Sequence, residues 1–358
     1  MTRRAAPDHD DGADYVAWIR RRVGRQRLLL VYATAVVFDD AGNVLVQRRA
    51  DFDWPGLPGG VLEPDEDLAG CARREVREET GLHVRLDRLV GIYSDPAYNL
   101  AYPNGDLVQP WTVCFAGHAA GGELRADGSE ITGVRFEAPG AALSRLPPHY
   151  RHMLGDALAA ARTPPIERVV CAPAGQLGHV ETLRQYVGAA RVTLPGAAAV
   201  VRDVSGRVLA IRRGDLGAWD MPGGWCELGE TATGTAVREV HEETGLHVRP
   251  TRLIGVYSNP AWIVRYPNGD EVRPVGALFE CGVIGGRLRH QPHDEPRRDE
   301  REGGQHEAGV AQGRGLESRH DVVGHAHDEE AHPAHHLHLA VRLHQGHPQA
   351  AQAGALRH

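Results

Sequence analysis

The chain has 358 residues, room for two or three domains that each bury a core. Its formal charge of −7 and isoelectric point near 6.3 exclude a non-specific nucleic-acid binder, which would carry a basic surplus, but leave small phosphates open as ligands. All forty basic residues are arginine, and the five cysteines are scattered without a Cys-x-x-Cys pair, so neither a disulfide framework nor a zinc site is expected and a reducing cytoplasm is the simpler setting.

In chain order, residues 1–12 are charged and read as a disordered N-terminus, with no apolar h-region of a signal peptide. The apolar run LLLVYATAVVF at 28–38 is too short to span a bilayer and reads as a buried strand, so no membrane association is expected. It opens a hairpin, ATAVVFDDAGNVLVQRR, whose turn is Asp-Asp-Ala-Gly-Asn. A loop and helix follow in GVLEPDEDLAGCARREVREETGL at 60–82. LDRLVGIYS and LVQPWTVCFAGHA then read as strands around the turn former Pro-Asn-Gly-Asp. ITGVRFEA closes as a strand, and LPPHYRHMLGDALAAA as a helix with Pro147 and Pro148 near its start. The whole is a mixed sheet flanked by helices, an α/β layered domain.

Nearly all of this recurs 164 residues later. GWCELGETATGTAVREVHEETGL at 224–246 answers 60–82, GLHVRPTRLIGVYSNPAW answers GLHVRLDRLVGIYSDPAY, and YPNGD at 266–270 answers 102–106. A gapless match over so long a stretch means duplication of a domain. The boundaries expected are residues 13–165 for the first domain, 166–176 for a linker and 177–290 for the second. The repeat stops near residue 290, so the second domain is expected to lack its closing strand and helix. Residues 291–358 are His-rich without a helical or strand period; a disordered tail, an out-of-frame translation and a metal-binding histidine tract are the three readings.

The chemistry concentrates in the two boxes. On a helix, Glu79 lies ~40° from Glu75, and Glu78 ~60° to its other side. Three neighbouring anions repel one another unless a cation compensates them, and oxygen-only donors suit Mg²⁺, with Mn²⁺ as the alternative. Ala69, Ala72 and Val76 form a narrow apolar stripe to pin the helix. Gly59 and Gly60 let the backbone approach a metal or phosphate closely, and Gly81 suits a left-handed helix end. Glu239, Glu242, Glu243, Gly223, Gly224 and Gly245 repeat these features. A stretch such as REVREET taken alone is an ordinary solvated helix face; fixed spacing of Gly, Glu, Arg and three Glu is what argues for a site.

Both boxes match Gly-x5-Glu-x7-Arg-Glu-apolar-x-Glu-Glu-x-Gly-apolar, which resembles the signature of the Nudix hydrolases. The resemblance covers the first repeat and the second to about residue 289. It implies an α/β/α sandwich and Mg²⁺-dependent hydrolysis of a nucleoside diphosphate linked to another group, a small nucleotide substrate and not a polymer. It implies metal ligation by Glu75, Glu78 and Glu79 with the Gly60 or Gly59 carbonyl, and by Glu239, Glu242, Glu243 and Gly224. Arg74 and Arg238 would orient the carboxylates, and Glu66 and Glu230 would steady the loop or the outer metal shell.

Other candidates carry two readings each. Arg48 and Arg49, answered by Arg212 and Arg213, would grip a terminal phosphate or stand as ordinary surface arginines. Trp54 and Trp219 would stack on a base or pack at the rim, and Trp54 stands four residues before Pro58 whereas Trp219 stands three before Pro222. Pro96 is near the proline of ADP-ribose pyrophosphatases and Tyr98 near a tyrosine of dinucleoside polyphosphate hydrolases, whereas the second repeat has Pro260 and Trp262. Glu130 is an extra ligand or base candidate, with Asp294 its counterpart. An ADP-ribose-like compound is the favoured substrate. The competing readings are MutT-like clearance of damaged nucleoside triphosphates, a nucleotide-sensing module without turnover, and a second repeat that serves only as an internal pseudo-dimer partner.

Overall fold

The structure, a computed structural model, describes residues 14–159, 167, 178–214 and 218–289, and the backbone of 306–310. The first copy runs α1 (Tyr15–Val23), β1 (Leu28–Phe38), β2 (Val44–Arg49), β3 (Pro55–Gly56), β4 (Gly59–Val61), α2 (Leu68–Thr80) and β5 (Leu82–Tyr93). After a 3₁₀ turn at Pro96–Tyr98 come β6 (Leu100–Ala101), β7 (Leu107–Gly122), β8 (Ile131–Glu137), α3 (Pro139–Arg145) and α4 (Pro148–Leu158). The second copy runs α5 (His179–Val187), β9 (Val192–Val201), β10 (Leu209–Arg213), β11 (Trp219–Asp220), β12 (Gly223–Trp225) and α6 (Ala232–Thr244). It continues through β13 (Leu246–Tyr257), β14 (Val264–Arg265), β15 (Glu271–Gly286) and β16 (His306–Val310).

The sheet of the first copy has the order β3-β2-β1-β7-β5, with β4 beside β1, β6 beside β7 and β8 beside β2. β1 and β7 run parallel through eleven register positions from Leu28–Val108 to Phe38–His118, while the other pairs are antiparallel. β1 lies at the centre, covered on both faces, which is why it reads as one apolar run instead of alternating. The second copy repeats the parallel pair as β9–β15, flanked by β12 and β13.

The chain therefore has the expected α/β layers and mixed sheets, with one correction. The closing strand of the second copy is present: β16 pairs antiparallel with β10, Leu209 opposite Val310 and Arg213 opposite His306, as β8 pairs with β2. The sequence does not announce it, because HEAGV does not resemble ITGVRFE, and antiparallel ladders are made by backbone groups that any sequence supplies. Among the described residues no counterpart of α3 and α4 follows it. The expected N-terminal segment, most of the linker and the His-rich tail, apart from β16 and Glu167, lie outside the described residues.

α2 is capped at its start by Asp67, whose carboxylate accepts from the Gly70 amide at 2.6 Å, and ends on left-handed Gly81. α6 is capped likewise by Thr231 and Gly245. The buried face of α2 is Leu68, Cys71, Ala72 and Val76; Ala69, expected in the stripe, is only half-buried, because the sheet meets the helix about one residue round from the expected line.

The two copies share a core. Leu29, Val31, Trp111 and Val113 of the first pack in one cluster with Ala197, Ala199, Val275 and Ala277 of the second. α1 and α5 meet in another, through Trp18, Ile19, Leu183 and Val187. Hydrogen bonds cross this contact in pairs separated by the repeat offset. Ser258 Oγ accepts from the Leu68 amide at 3.0 Å, and Ser94 Oγ accepts from the Ala232 amide at 2.8 Å.

Candidate active site

Each box forms the same constellation. β4 and β12 carry the paired glycines past the central strand, where Gly60 pairs with Ala33 and Gly224 with Ala197. A Cβ at Gly60 would collide with the Glu75 carboxylate, and one at Gly224 with that of Glu239. The absent side chain is what allows the helix carboxylate to reach the strand backbone.

Arg74 is the hub of site 1. Its Nε and Nη2 donate to the two oxygens of Glu66 at 3.0 and 2.6 Å, and Nη2 also to the Val61 carbonyl at 3.1 Å. Its Nη1 donates to Glu75 at 2.8 Å and to Glu78 at 3.0 Å. The bidentate grip on Glu66 raises the pKa of Arg74, so its charge is permanent. Arg238 repeats the pattern, at 2.6 and 3.0 Å to Glu230, 2.8 Å to Glu239 and 3.0 Å to Glu242.

The three helix carboxylates of site 1 descend from solvent to core. Glu78 is half exposed, Glu75 is mostly covered, and Glu79 is only 5% exposed. Glu79 accepts from the Gly59 amide at 2.9 Å and from Gln47 Nε2 at 3.0 Å. Burial pushes Glu75 up to about 7, and burial together with the charge of Glu75 pushes Glu79 up to about 8. In site 2, Glu243 accepts from the Gly223 amide at 3.0 Å and is pushed up to about 8 by burial and by Glu239, itself raised by burial. The residue answering Gln47 there is Ile211, so buried Glu79 and half-buried Glu243 have different neighbours.

Among the described residues no three His, Cys, Asp or Glu side chains converge as a preformed metal cage. Glu75 and Glu78 are turned onto Arg74, and Glu79 onto Gly59 and Gln47. The donor chemistry nevertheless fits a hard divalent cation: the donors are carboxylate oxygens, and burial and mutual repulsion hold the inner two against ionisation, a penalty that a cation relieves.

The remaining candidates separate. Arg49 is half-buried, gripped by Asp51 at 2.8 and 2.7 Å, and its guanidinium lies 5.6 Å from the Phe52 ring centre. Arg48 and Arg212 are exposed, and Arg213 stands 4.0 Å from Asp220. Trp54 stacks on Phe52 at 4.5 Å and meets His149 and Tyr150 of α4 edge-on. Trp219 is 61% exposed, so the two tryptophans are not equivalent. Tyr98 is buried, with its hydroxyl 2.7 Å from His152 Nδ1. Pro96 opens the 3₁₀ turn, and Trp262 leans on Tyr257. Glu130 is exposed at the entry to β8, with its carbonyl accepting from the Ala50 amide; Asp294 lies outside the described residues.

Sequence reading missed Gln47 and the aromatic wall of Phe52, Tyr102, His149 and Tyr150. Gln47 gave one signal, a polar residue within the buried run of β2; α4 gave none, because nothing local says which strand end a later helix will cover.

The NUDIX domain profile matches residues 28–156 and again 192–302, more than half of the chain. The chain belongs to the Nudix hydrolase family. This Nudix hydrolase is 27% identical over 156 residues to a putative 8-oxo-dGTP diphosphatase of Bacillus subtilis, covering 44% of the chain and 96% of that protein. It is 54% identical over 90 residues to a MutT-like protein of Streptomyces ambofaciens, covering 25% of the chain and 51% of the relative. It is 40% identical over 86 residues to an ADP-ribose pyrophosphatase of Methanocaldococcus jannaschii, covering 23% and 47%. The chain thus spans about half the length of the last two. A solved Nudix hydrolase from Nitrosomonas europaea matches at 23% identity and a TM-score of 0.32, over 38% of the chain and 93% of that structure.

Proposed function

We propose that the protein cleaves the pyrophosphate bond of a small nucleoside diphosphate derivative with Mg²⁺ at two sites, an ADP-ribose-like compound being the favoured substrate. The observation that carries the reading is the pair of arginine-braced carboxylate clusters, each with a glycine that opens the strand backbone to the middle carboxylate. Glu75, Glu78, Glu79 and the Gly60 carbonyl would hold the ions at site 1, and Glu239, Glu242, Glu243 and the Gly224 carbonyl at site 2. The ions would neutralise phosphate charge and acidify water. Arg74 and Arg238 keep the outer carboxylates aimed, and Glu66 and Glu230 keep those arginines from swinging. The wall of Trp54, Phe52 and His149 offers a base a stacking surface at site 1.

MutT-like hydrolysis of an oxidised nucleoside triphosphate is the second reading, favoured by the likeness to nearly the full length of the Bacillus subtilis protein. A Mg²⁺-supplemented comparison of ADP-ribose with 8-oxo-dGTP, using the intact chain, Glu79→Gln, Glu243→Gln and the double variant, separates them. Each single variant is expected to lose one site's turnover and the double variant all of it. Full activity in the double variant would overturn the assignment of both sites.

A further inference from the structure

Two residues at one repeat position, Gln109 in β7 and Arg273 in β15, are buried polar groups inside apolar strands. Such groups are as a rule satisfied by partners, and here every side-chain nitrogen and oxygen of the two except Arg273 Nε has one. Their partners lie across the contact between the copies. Arg273, 1% exposed, donates through Nη1 to the Glu63 carbonyl at 2.7 Å and through Nη2 to the Glu66 carbonyl. Gln109, wholly buried, donates to the Glu230 carbonyl at 2.8 Å and accepts from the Gly229 amide at 2.7 Å. Each also reaches the carbonyl of its own copy's serine, Arg273 to Ser258 at 3.2 Å and Gln109 to Ser94 at 3.4 Å. Those serines, through Oγ, accept from the first helix amide of the opposite box.

We propose that each catalytic loop is set by the opposite copy: Arg273 and Ser258 position residues 63–68 of site 1, and Gln109 and Ser94 position residues 229–232 of site 2. The inference rests on the proposed hydrolase reading for its kinetic consequence. At site 1 the line of contacts is continuous. Arg273 holds the Glu66 backbone, the Glu66 carboxylate holds Arg74, and Arg74 holds Glu75 and Glu78. The charges match as well. The loop that receives the cation carries Glu63, Asp65, Glu66 and Asp67, whereas the loop that receives the neutral amide carries only Glu227 and Glu230. The two strand residues are therefore not interchangeable: the one that reaches site 1 is a buried charge and the one that reaches site 2 a neutral hydrogen-bonding group, beside which the Glu167 carboxylate accepts from the Thr233 amide at 2.8 Å. Arg273 and Gln109 are positioning residues, since neither touches the box carboxylates.

The test is Arg273→Gln in the full chain, a change whose geometry Gln109 already demonstrates in the reciprocal place. In the metal-free protein, amide hydrogen exchange at Glu66 and Leu68 is expected to accelerate at least tenfold, and at Glu230 and Ala232 less than twofold. In the Glu243→Gln background, where only site 1 would turn over, Arg273→Gln should lower kcat for ADP-ribose at least tenfold with KM within threefold. In the Glu79→Gln background it should change kcat less than twofold. Arg273→Lys should recover part of the loss at site 1. Equal effects at the two loops, or none at Glu66 and Leu68, overturn the proposal. Should Arg273→Gln not fold, Ser258→Ala decides it by the exchange of Leu68 alone, faster if the arm acts and unchanged if it does not. If the unsubstituted protein cleaves no pyrophosphate, the hydrolase reading falls while the exchange measurement still judges the positioning.

Discussion

Gly60 has no side chain because the Glu75 carboxylate occupies the place where a Cβ would stand. Gly60→Ala should therefore displace Glu75 and lower site 1 turnover at least tenfold, measured in the Glu243→Gln background, while the far-ultraviolet circular dichroism stays unchanged. The buried carboxylates give a second expectation at this scale. A carboxyl whose folded pKa lies above its unfolded value holds a proton more tightly when folded, so its contribution to stability falls as pH rises between the two values. Glu75 rises from 4.5 to about 7 and Glu79 from 4.5 to about 8, so the metal-free protein should lose melting temperature between pH 4.5 and 8. Glu79→Gln should flatten that slope, and added Mg²⁺ should restore stability most strongly at the upper end, where the carboxylates are ionised. Thermal scans with and without a chelator read all three.

The sequence placed α2 and α6 from the carboxylate spacing and the left-handed glycines, all within one helix length, while the caps at Asp67 and Thr231 came only with the structure. It located α4 as a helix but not its packing, which brings His149 and Tyr150 against Trp54 from almost a hundred residues away. α4 makes the sites unequal, since no described helix covers Trp219 in the second copy. If a base stacks on Trp54, Trp54→Ala should raise KM at site 1 by a factor corresponding to ~1–3 kcal/mol with kcat little changed. Trp219→Ala should leave site 2 within about twofold by the same stacking argument. Steady-state kinetics in the two single-site backgrounds checks the contrast. β16 teaches the complementary lesson: a strand without an apolar pattern can still fill a ladder, because the ladder needs only backbone donors and acceptors.

At the scale of the whole molecule, the clusters that join the copies contain Trp18, Ile19, Leu29, Val31 and Trp111, all buried. A fragment of residues 1–176 would expose them to water, a contiguous apolar face of the kind that drives association. It should precipitate or self-associate in size-exclusion chromatography and melt well below the full chain. A soluble, active monomer would show that the shared core is dispensable. In the intact chain this face is covered by the second copy, whose Ala197, Ala199, Val275 and Ala277 lie in the same cluster. No helix among the described residues is long and apolar enough to cross a membrane.

The duplication, the two boxes, their helices and the class of chemistry were legible in the sequence alone, because each rests on spacing: residues a helical turn apart share a face whatever surrounds them. The tertiary structure alone decided which carboxylate lies in the core and which in water, which glycine yields to which glutamate, and that Gln109 and Arg273 reach across to the opposite loop. Those outcomes depend on what packs against an element, and the packing partners here lie up to 210 residues apart, beyond any local pattern.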